Sequence, residues 1–263
     1  MLRLPISGIQ THWRPSNGYD DIALADSRPG LAGALACVAR AVEDAEAAPL
    51  DGTKLPIGDI DLLVVARLRE LRGDTFVAEG RCEHCGAAVD VQFSLAEYAT
   101  HHRPRRPRAA APEVESGWWR LSTYGLTFRV PVAGDVLAVM TSARPREELF
   151  ARCVRGSVGA HAARAVERAM TAIAPTLRGE VAGSCPECKA MVMLEVDARE
   201  LCMTELRFMS ASVYDDVNLI ASVYQWSEDA ILNLASQRRR RYADLIAGRS
   251  PELQLPAAEM SVA

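Results

Sequence analysis

The sequence predicts an α+β fold: two duplicated hairpin–helix units, each closed by a knuckle of paired cysteines, followed by C-terminal helices. Three observations predict it. Two C-x-x-C pairs, Cys82/Cys85 and Cys185/Cys188, each precede a strand-like run that leads into a helix start. The segments upstream of them share one order of Gly turn, alternating strand and Asp-opened helix. Past Asp197 the apolar residues step by three and four, the period of a helix.

Composition sets the outer bounds. The chain has 263 residues, enough for one or two domains and for a core that needs no disulfides. Hydrophobic residues make up 49% and charged residues 24%, a globular balance that excludes wholesale disorder. Lys plus Arg number 30 against 34 for Asp plus Glu, a formal charge of −4, which disfavours a general nucleic-acid coat. No apolar run approaches the roughly 18 residues of a membrane span, and MLRLPISGIQTHW lacks the apolar centre of a secretory leader. The expectation is a reduced, cytoplasmic protein.

The first unit spans residues 1–100. SGIQTHWRPSNGYDDIAL (7–24) reads as a strand running into an Asp-opened helix. LAGALACVARAVEDA (31–45) and IDLLVVARLRELRG (60–73) are amphipathic helices, the second closed by Gly73. VAEGRCEHCGAAVDVQFSLAEY (77–98) carries the first knuckle, a strand and a helix capped by Ser94 with Glu97 three residues on. HHRPRRPRAAAPEVESG (101–117) is a basic, Pro-rich linker, expected to be irregular and solvated, with arginines able to meet phosphate or an acidic partner. The second unit spans 118–205. WWRLSTYGLTFRVPV (118–132) reads as a hairpin turning at Tyr124-Gly125; Asp135 caps a short helix, and ARPREELFARCV and HAARAVERAMTAIA continue as helices. VAGSCPECKAMVMLEVDAREL (181–201) then parallels 77–98, with Asp197 and Glu200 in the capping positions. Gly8 and Gly125 lie 117 positions apart and Cys82 and Cys185 lie 103 apart, so the second copy is about 14 residues shorter in its helical middle.

The cysteines carry the chemistry. Seven is an odd number, and in a chain without a leader it argues against a disulfide framework. Two residues between paired cysteines let one tight turn aim both sulfurs at one ion, and four sulfurs complete a closed tetrahedral zinc site. Gly86 follows the first pair where a knuckle often needs positive φ, and Lys189 replaces it in the second. One zinc per chain, shared by Cys82, Cys85, Cys185 and Cys188, requires the knuckles to meet through tertiary structure in a zinc-ribbon-like site. The competing readings are a thioredoxin-like redox pair, unliganded buried thiols, and sites completed by other ligands. His84 is expected to point away, His101 and His102 to be solvated, and Cys37, Cys153 and Cys202 to be small core residues.

Residues 206–248 read as helices. Leu206, Met209, Val213, Val217, Ile220 and Tyr224 form one apolar stripe of core character. Ser227 is an N-cap with Glu228 and Asp229 in the first turn behind it. Ser236 starts a helix that carries Arg238 to Arg241 and ends at Gly248; Trp226 sits at the corner between helices. Residues 249–263 are expected to form a disordered tail.

This segment resembles a known family. Tyr224-x-Trp226-Ser227-Glu228-x-x-Ile231-Leu232-x-Leu234, followed by Arg238-Arg239-x-x-Tyr242, is similar to the T-even-type phage baseplate hub assembly chaperones, whose relatives serve myophages and contractile injection systems. LLVVARLRELRGDTFVAEGRCEHCG, FSLAEY and CPEC are similar to members that carry zinc knuckles, so the resemblance covers most of residues 5–248. The chain departs from it at Lys189, where Gly is usual, and at Leu194-Glu195-Val196. The resemblance implies a non-enzymatic part that builds or occupies a baseplate hub, made in the cytoplasm and either released or kept in the particle. It implies hub or spike proteins as partners, met by Trp226, Ile231, Leu234, Arg238, Arg239 and Tyr242, and no small-molecule substrate. In keeping with this, the sequence holds no G-x-S-x-G, H-E-x-x-H, P-loop or Rossmann fingerprint. The alternative is a zinc-ribbon nucleic-acid binder using the 103–108 arginines and Arg238 to Arg241.

Overall fold

The computed structural model describes residues 1–156 and 158–248; the tail expected over 249–263 lies outside the described residues. In chain order come β1 (Leu2–Arg3), β2 (Gln10–Trp13), α1 (Gly18–Ala25), α2 (Leu31–Ala41), β3 (Val42–Asp44), α3 (Ile57–Arg72), β4 (Thr75–Arg81), β5 (Ala88–Ser94) and α4 (Leu95–His101). A short β6 (Ala111–Pro112) interrupts the linker. Then follow β7 (Trp118–Leu121), β8 (Leu126–Arg129), α5 (Ala133–Val139), α6 (Pro145–Cys153), β9 (Val154–Arg155), α7 (Ala160–Ile173), β10 (Arg178–Ser184), β11 (Met191–Asp197) and α8 (Ala198–Ala211). The last elements are α9 (Val213–Tyr224), α10 (Glu228–Leu232) and α11 (Ser236–Ala247). Helices and small antiparallel sheets together make an α+β protein. No helix among the described residues is long and apolar enough to cross a membrane.

The chain forms two compact units. The larger holds Met1–Trp13 and Arg28–Glu205; the smaller holds Arg14–Ser27 and the described residues from Leu206 onward. Residues 14–27 thus leave the contiguous 1–100 segment that the sequence marks out.

In the larger unit the sheets are ordered β1-β2-β3, β4-β5, β6-β7-β8-β9 and β10-β11. The helix expected over 31–45 stops at Ala41 and the one in ARPREELFARCV stops at Cys153. Val42 turns out of helix to pair with Trp13, and Val154 to pair with Phe128. Both residues are β-branched, and each adds an edge strand to its sheet, the third beside β2 and the fourth beside β8, satisfying backbone groups that a longer helix would leave bare. The linker is less irregular than expected, since Ala111 and Pro112 pair with Arg120 and Trp119. Leu121, Leu126 and Phe128 from β7 and β8 pack on Ala162, Val166, Ala169 and Ile173 of α7 to form a core.

Two local constructions recur. Thr75↔Ser94 through Arg81↔Ala88 sets the register of β4–β5, and Arg178↔Asp197 through Ser184↔Met191 sets that of β10–β11, each residue 103 positions after its counterpart. Asp20 accepts two hydrogen bonds from Arg14 and one from the Asn17 amide, while Asp135 accepts two from Arg129 and one from the Val132 amide.

The smaller unit packs α9, α10 and α11 around Ile220, Ile231, Ala243 and Ile246. The apolar stripe from Leu206 to Tyr224 runs over two helices, broken at Ser212. The Ser16 carbonyl accepts the Ser236 amide at 2.8 Å and Asn17 bridges Ala235, which ties residues 14–27 to α11.

Candidate metal centre

The strands deliver the four cysteines in matched pairs. In the first knuckle the Cys82 amide donates to Ala87 O at 2.9 Å and the Gly86 amide to Cys82 O at 2.8 Å; in the second, Cys185 donates to Ala190 O at 2.9 Å and Lys189 to Cys185 O at 3.1 Å. Both turns need a left-handed residue, supplied by Gly86 at φ 73° and Lys189 at φ 62°. Glycine adopts that conformation freely, whereas a lysine held there is strained. The second knuckle therefore keeps the geometry of the first without its natural residue.

What brings the knuckles together is glycine two positions before each leading cysteine. A Cβ on Gly80 would lie 2.4 Å from Leu194 Cδ2, and one on Gly183 would lie 2.4 Å from Val91 Cγ2. Each hairpin thus presents a bare backbone to an apolar side chain of the other, and the strands approach closely enough for the knuckles to face each other.

The four sulfurs all lie within 4.8 Å of one another. Cys82 Sγ is 3.6 Å from Cys188 Sγ, and Cys85 Sγ is 3.6 Å from Cys185 Sγ. A tetrahedron with metal–sulfur bonds of about 2.3 Å has edges of about 3.8 Å, so four thiolates so spaced are compatible with one shared ion. The leading cysteines, Cys82 and Cys185, are 2% and 0% exposed; Cys188 is partly exposed and Cys85 open to solvent.

Backbone amides favour the thiolate at Cys85, Cys185 and Cys188, but only at Cys185 is the thiol held below its ordinary value. The Cys188 amide, followed by that of Glu187, acts against burial to hold the Cys185 thiol down at about 7. The Ala87 amide favours a Cys85 thiolate, but the Cys185 and Cys188 thiols beside it outweigh that amide and push Cys85 up to about 12. Four thiols confined together cannot all ionise unaided; a cation removes that conflict, because a coordinated thiol is deprotonated outright. The cluster can hold one metal ion.

Around the cluster, the two halves of the larger unit meet in polar contacts as well. Tyr98 donates to Val196 O at 3.0 Å, and burial pushes its phenol up to about 12. Asp61 accepts from the Leu177 amide and from Arg199, both at 3.0 Å, and burial raises its carboxyl to about 6 against the pull of Arg199. His84 is exposed and outside the cluster. His102 is not simply solvated: its ring lies 4.4 Å from that of Tyr98, and its Nδ1 is 2.9 Å from Tyr98 O. Cys153 and Cys202 are fully buried and Cys37 is half-buried.

The residues singled out in the C-terminal segment separate into two groups. Trp226 is 39% exposed, and its ring stands 5.3 Å from Tyr224 and 5.5 Å from Tyr242. Arg238 is exposed over the Tyr242 ring and donates to its hydroxyl at 3.2 Å. Leu234 and Tyr242 are half-buried. Ile231 and Arg239 are wholly buried. Ile231 fills the core, and Arg239 donates to Asp21 at 2.7 Å and Asp216 at 3.0 Å. These two belong to the interior of the smaller unit and not to the surface proposed from sequence.

The sequence reading passed over Gly80, Gly183 and the pairing of Asp61 with Arg199. The glycines had a visible signal, the G-x-C-x-x-C shared by both knuckles; the ion pair had none, its members lying 138 residues apart. Comparison of the chain with protein-family models, with curated proteins and with solved structures finds no significant match to any of them.

Proposed function

We propose that this protein is a non-enzymatic structural or assembly component of the baseplate hub of a contractile phage tail or phage-tail-like injection system, stabilised by one structural zinc. The observation that supports the non-catalytic part is the four-sulfur cluster: its thiolates would fill every position of a tetrahedral ion and leave none for water or substrate. Sulfur-only tetrahedral sites suit zinc, and the chemistry it supplies here is cross-linking. The equal registers of β4–β5 and β10–β11, together with the two Arg-to-Asp constructions, support an internal duplication whose copies the ion joins.

The hub assignment rests on the resemblance of residues 224–242 to the T-even-type baseplate hub chaperones. Within that stretch Trp226, Arg238 and Tyr242 form an aromatic and cationic surface, a composition enriched at protein interfaces. Tyr242 packs in turn on the core that contains Ile231. The protein would act in the cell that builds the particle, on a hub or spike protein.

Co-expression with hub and spike proteins from the same tail cluster tests this reading. A stable complex lost on combining Trp226→Ala with Arg238→Glu, in a variant that keeps its metal and its melting temperature, is the expected result. A genomic neighbourhood without sheath, tube and spike genes, or no complex with any of their products, overturns the hub assignment.

A further inference from the structure

We propose that a cleft in the larger unit, between β1, α3, α4 and the segment leading into β10, binds an acidic, aliphatic peptide segment of a partner protein. The proposal is independent of the hub assignment. The cleft encloses about 520 Å³, within the range of sites that hold small ligands or a few side chains. Its apolar wall comes from Ile6, Leu62 and Leu177, and its cations are Arg3, Arg69 and Arg103. No carboxylate and no Phe, Tyr or Trp lines it among the described residues.

The cations are placed and only partly matched. Arg69 is paired with Asp74, but Arg3 and Arg103 make no ion pair with any described residue. The linker is fixed where it passes the rim: the Arg103 amide donates to Thr100 O at 3.3 Å and the Arg105 amide to Ala172 O at 2.6 Å. Arg103, Arg105 and Arg106 are therefore held on ordered backbone beside the cleft, all exposed. In a chain of net charge −4, such a local excess of arginine repels itself and attracts an anionic group.

The lining selects the kind of anion. Nucleic acid bound along a strand uses aromatic faces for its bases; the one ring here, His102, is already engaged with Tyr98. A free inorganic anion would leave the apolar wall uncovered. A peptide alternating carboxylates with aliphatic side chains satisfies both surfaces, with carboxylates on Arg3 and Arg103 and the aliphatic groups on the half-buried Ile6 and Leu62.

Fluorescence anisotropy with the metal-loaded full-length protein tests this. The probes are a short labelled peptide alternating Glu with Leu, its Lys/Leu and Glu/Ser counterparts, and an oligothymidine. The expected result is binding of the Glu/Leu peptide alone, weakening as salt is raised and by about tenfold or more in the Arg3→Glu, Arg103→Glu double variant. An Arg3→Gln, Arg103→Gln pair should lose less, and it decides the matter if the Glu pair fails to fold. Arg144→Glu, outside the cleft, should change nothing. Failure of the Glu/Leu peptide to bind, equal binding of the Glu/Ser peptide, tighter binding of oligothymidine, or affinity unchanged in both double variants would each overturn the proposal.

Discussion

Arg239→Met should be the most damaging single change in the smaller unit. Methionine replaces much of the apolar stem but removes a cation shared by two carboxylates. The Arg239 side chain is 0% exposed, with Nη2 2.7 Å from Asp21 and Nε 3.0 Å from Asp216, so solvent cannot take over the pairing. Removing one partner of such a buried arrangement typically costs about 3–5 kcal/mol, a large part of the roughly 5–15 kcal/mol that holds a domain together. The loss has a pH signature. Burial raises the Asp216 carboxyl above its usual range even with Arg239 pulling it down. A carboxyl raised in the folded state binds more protons there than in the unfolded chain, so its contribution to stability falls as pH rises through the window above the ordinary carboxylate value. Without Arg239 that window widens upward, and the deficit should be greater at about pH 8 than at about pH 5. Urea titration at both pH values, followed by circular dichroism and by tryptophan fluorescence, measures it. The triple variant Arg239→Met, Asp21→Asn, Asp216→Asn should recover much of the loss, because replacing an entire buried ionic cluster is often neutral. A deficit under about 1 kcal/mol, the size of an exposed pair, or one identical at both pH values, would refute an internal role for this arginine.

Two further outcomes concern the metal centre. Purified protein should carry about one zinc per chain, and Cys185→Ser should abolish it while raising amide exchange in residues 75–94 as well as 178–197; increased exchange confined to the mutated hairpin would show that the ion is not shared. Gly183→Ala should cost about 1–3 kcal/mol, the usual range for overpacking, since its Cβ would sit 2.4 Å from Val91 Cγ2. Combining it with Val91→Ala should return part of that, and strict additivity in the double variant would mean that the hairpins do not interlock there.

The knuckles were legible because their chemistry is local: the spacing of two cysteines and the cap three residues before a carboxylate are written within a few positions. Ser94 and Asp197 do accept the Glu97 and Glu200 amides, and Gly73 does close α3. The helix end at Ala41 was less legible, because the pull on Val42 comes from a strand about 29 residues upstream and helix formers continue beyond it, whereas the end at Cys153 falls within one residue of the expected one. The exile of residues 14–27 was not legible at all, since their partners on α11 lie far along the chain, Arg239 being 218 residues beyond Asp21. The arginine run itself held an unread clue. Ser236, Arg239, Ala243 and Ile246 step by three and four along α11, and all four are buried. Arg238 and Arg241, off that phase, are exposed. A run of identical charges reads as one solvated face only when helical phase is ignored.

An ion held by the four cysteines would share with the protein core the work of joining the two halves of the larger unit. Away from the cysteines the halves already meet through the Pro56–Val132 bridge, the Leu55 carbonyl accepting the Ala133 amide at 2.8 Å, and the Asp61 contacts to Leu177 and Arg199. Gly58 lies so close to the Pro175 carbonyl that a Cβ there would stand 2.0 Å from it. These contacts cluster on α3 and the segments beside it, where Ile60, Leu63, Val64 and Leu68 are buried. The knuckle ends of β4–β5 and β10–β11 lie away from α3 and rest on each other, Gly80 against Leu194 and Gly183 against Val91; each alone is a two-stranded sheet, a form that is marginal in water. Metal binding would add free energy to this small contact between the hairpins. Chelation of a bound ion should therefore loosen the hairpin tips first and leave the α3 contacts in place, because the α3 contacts do not depend on the cysteines.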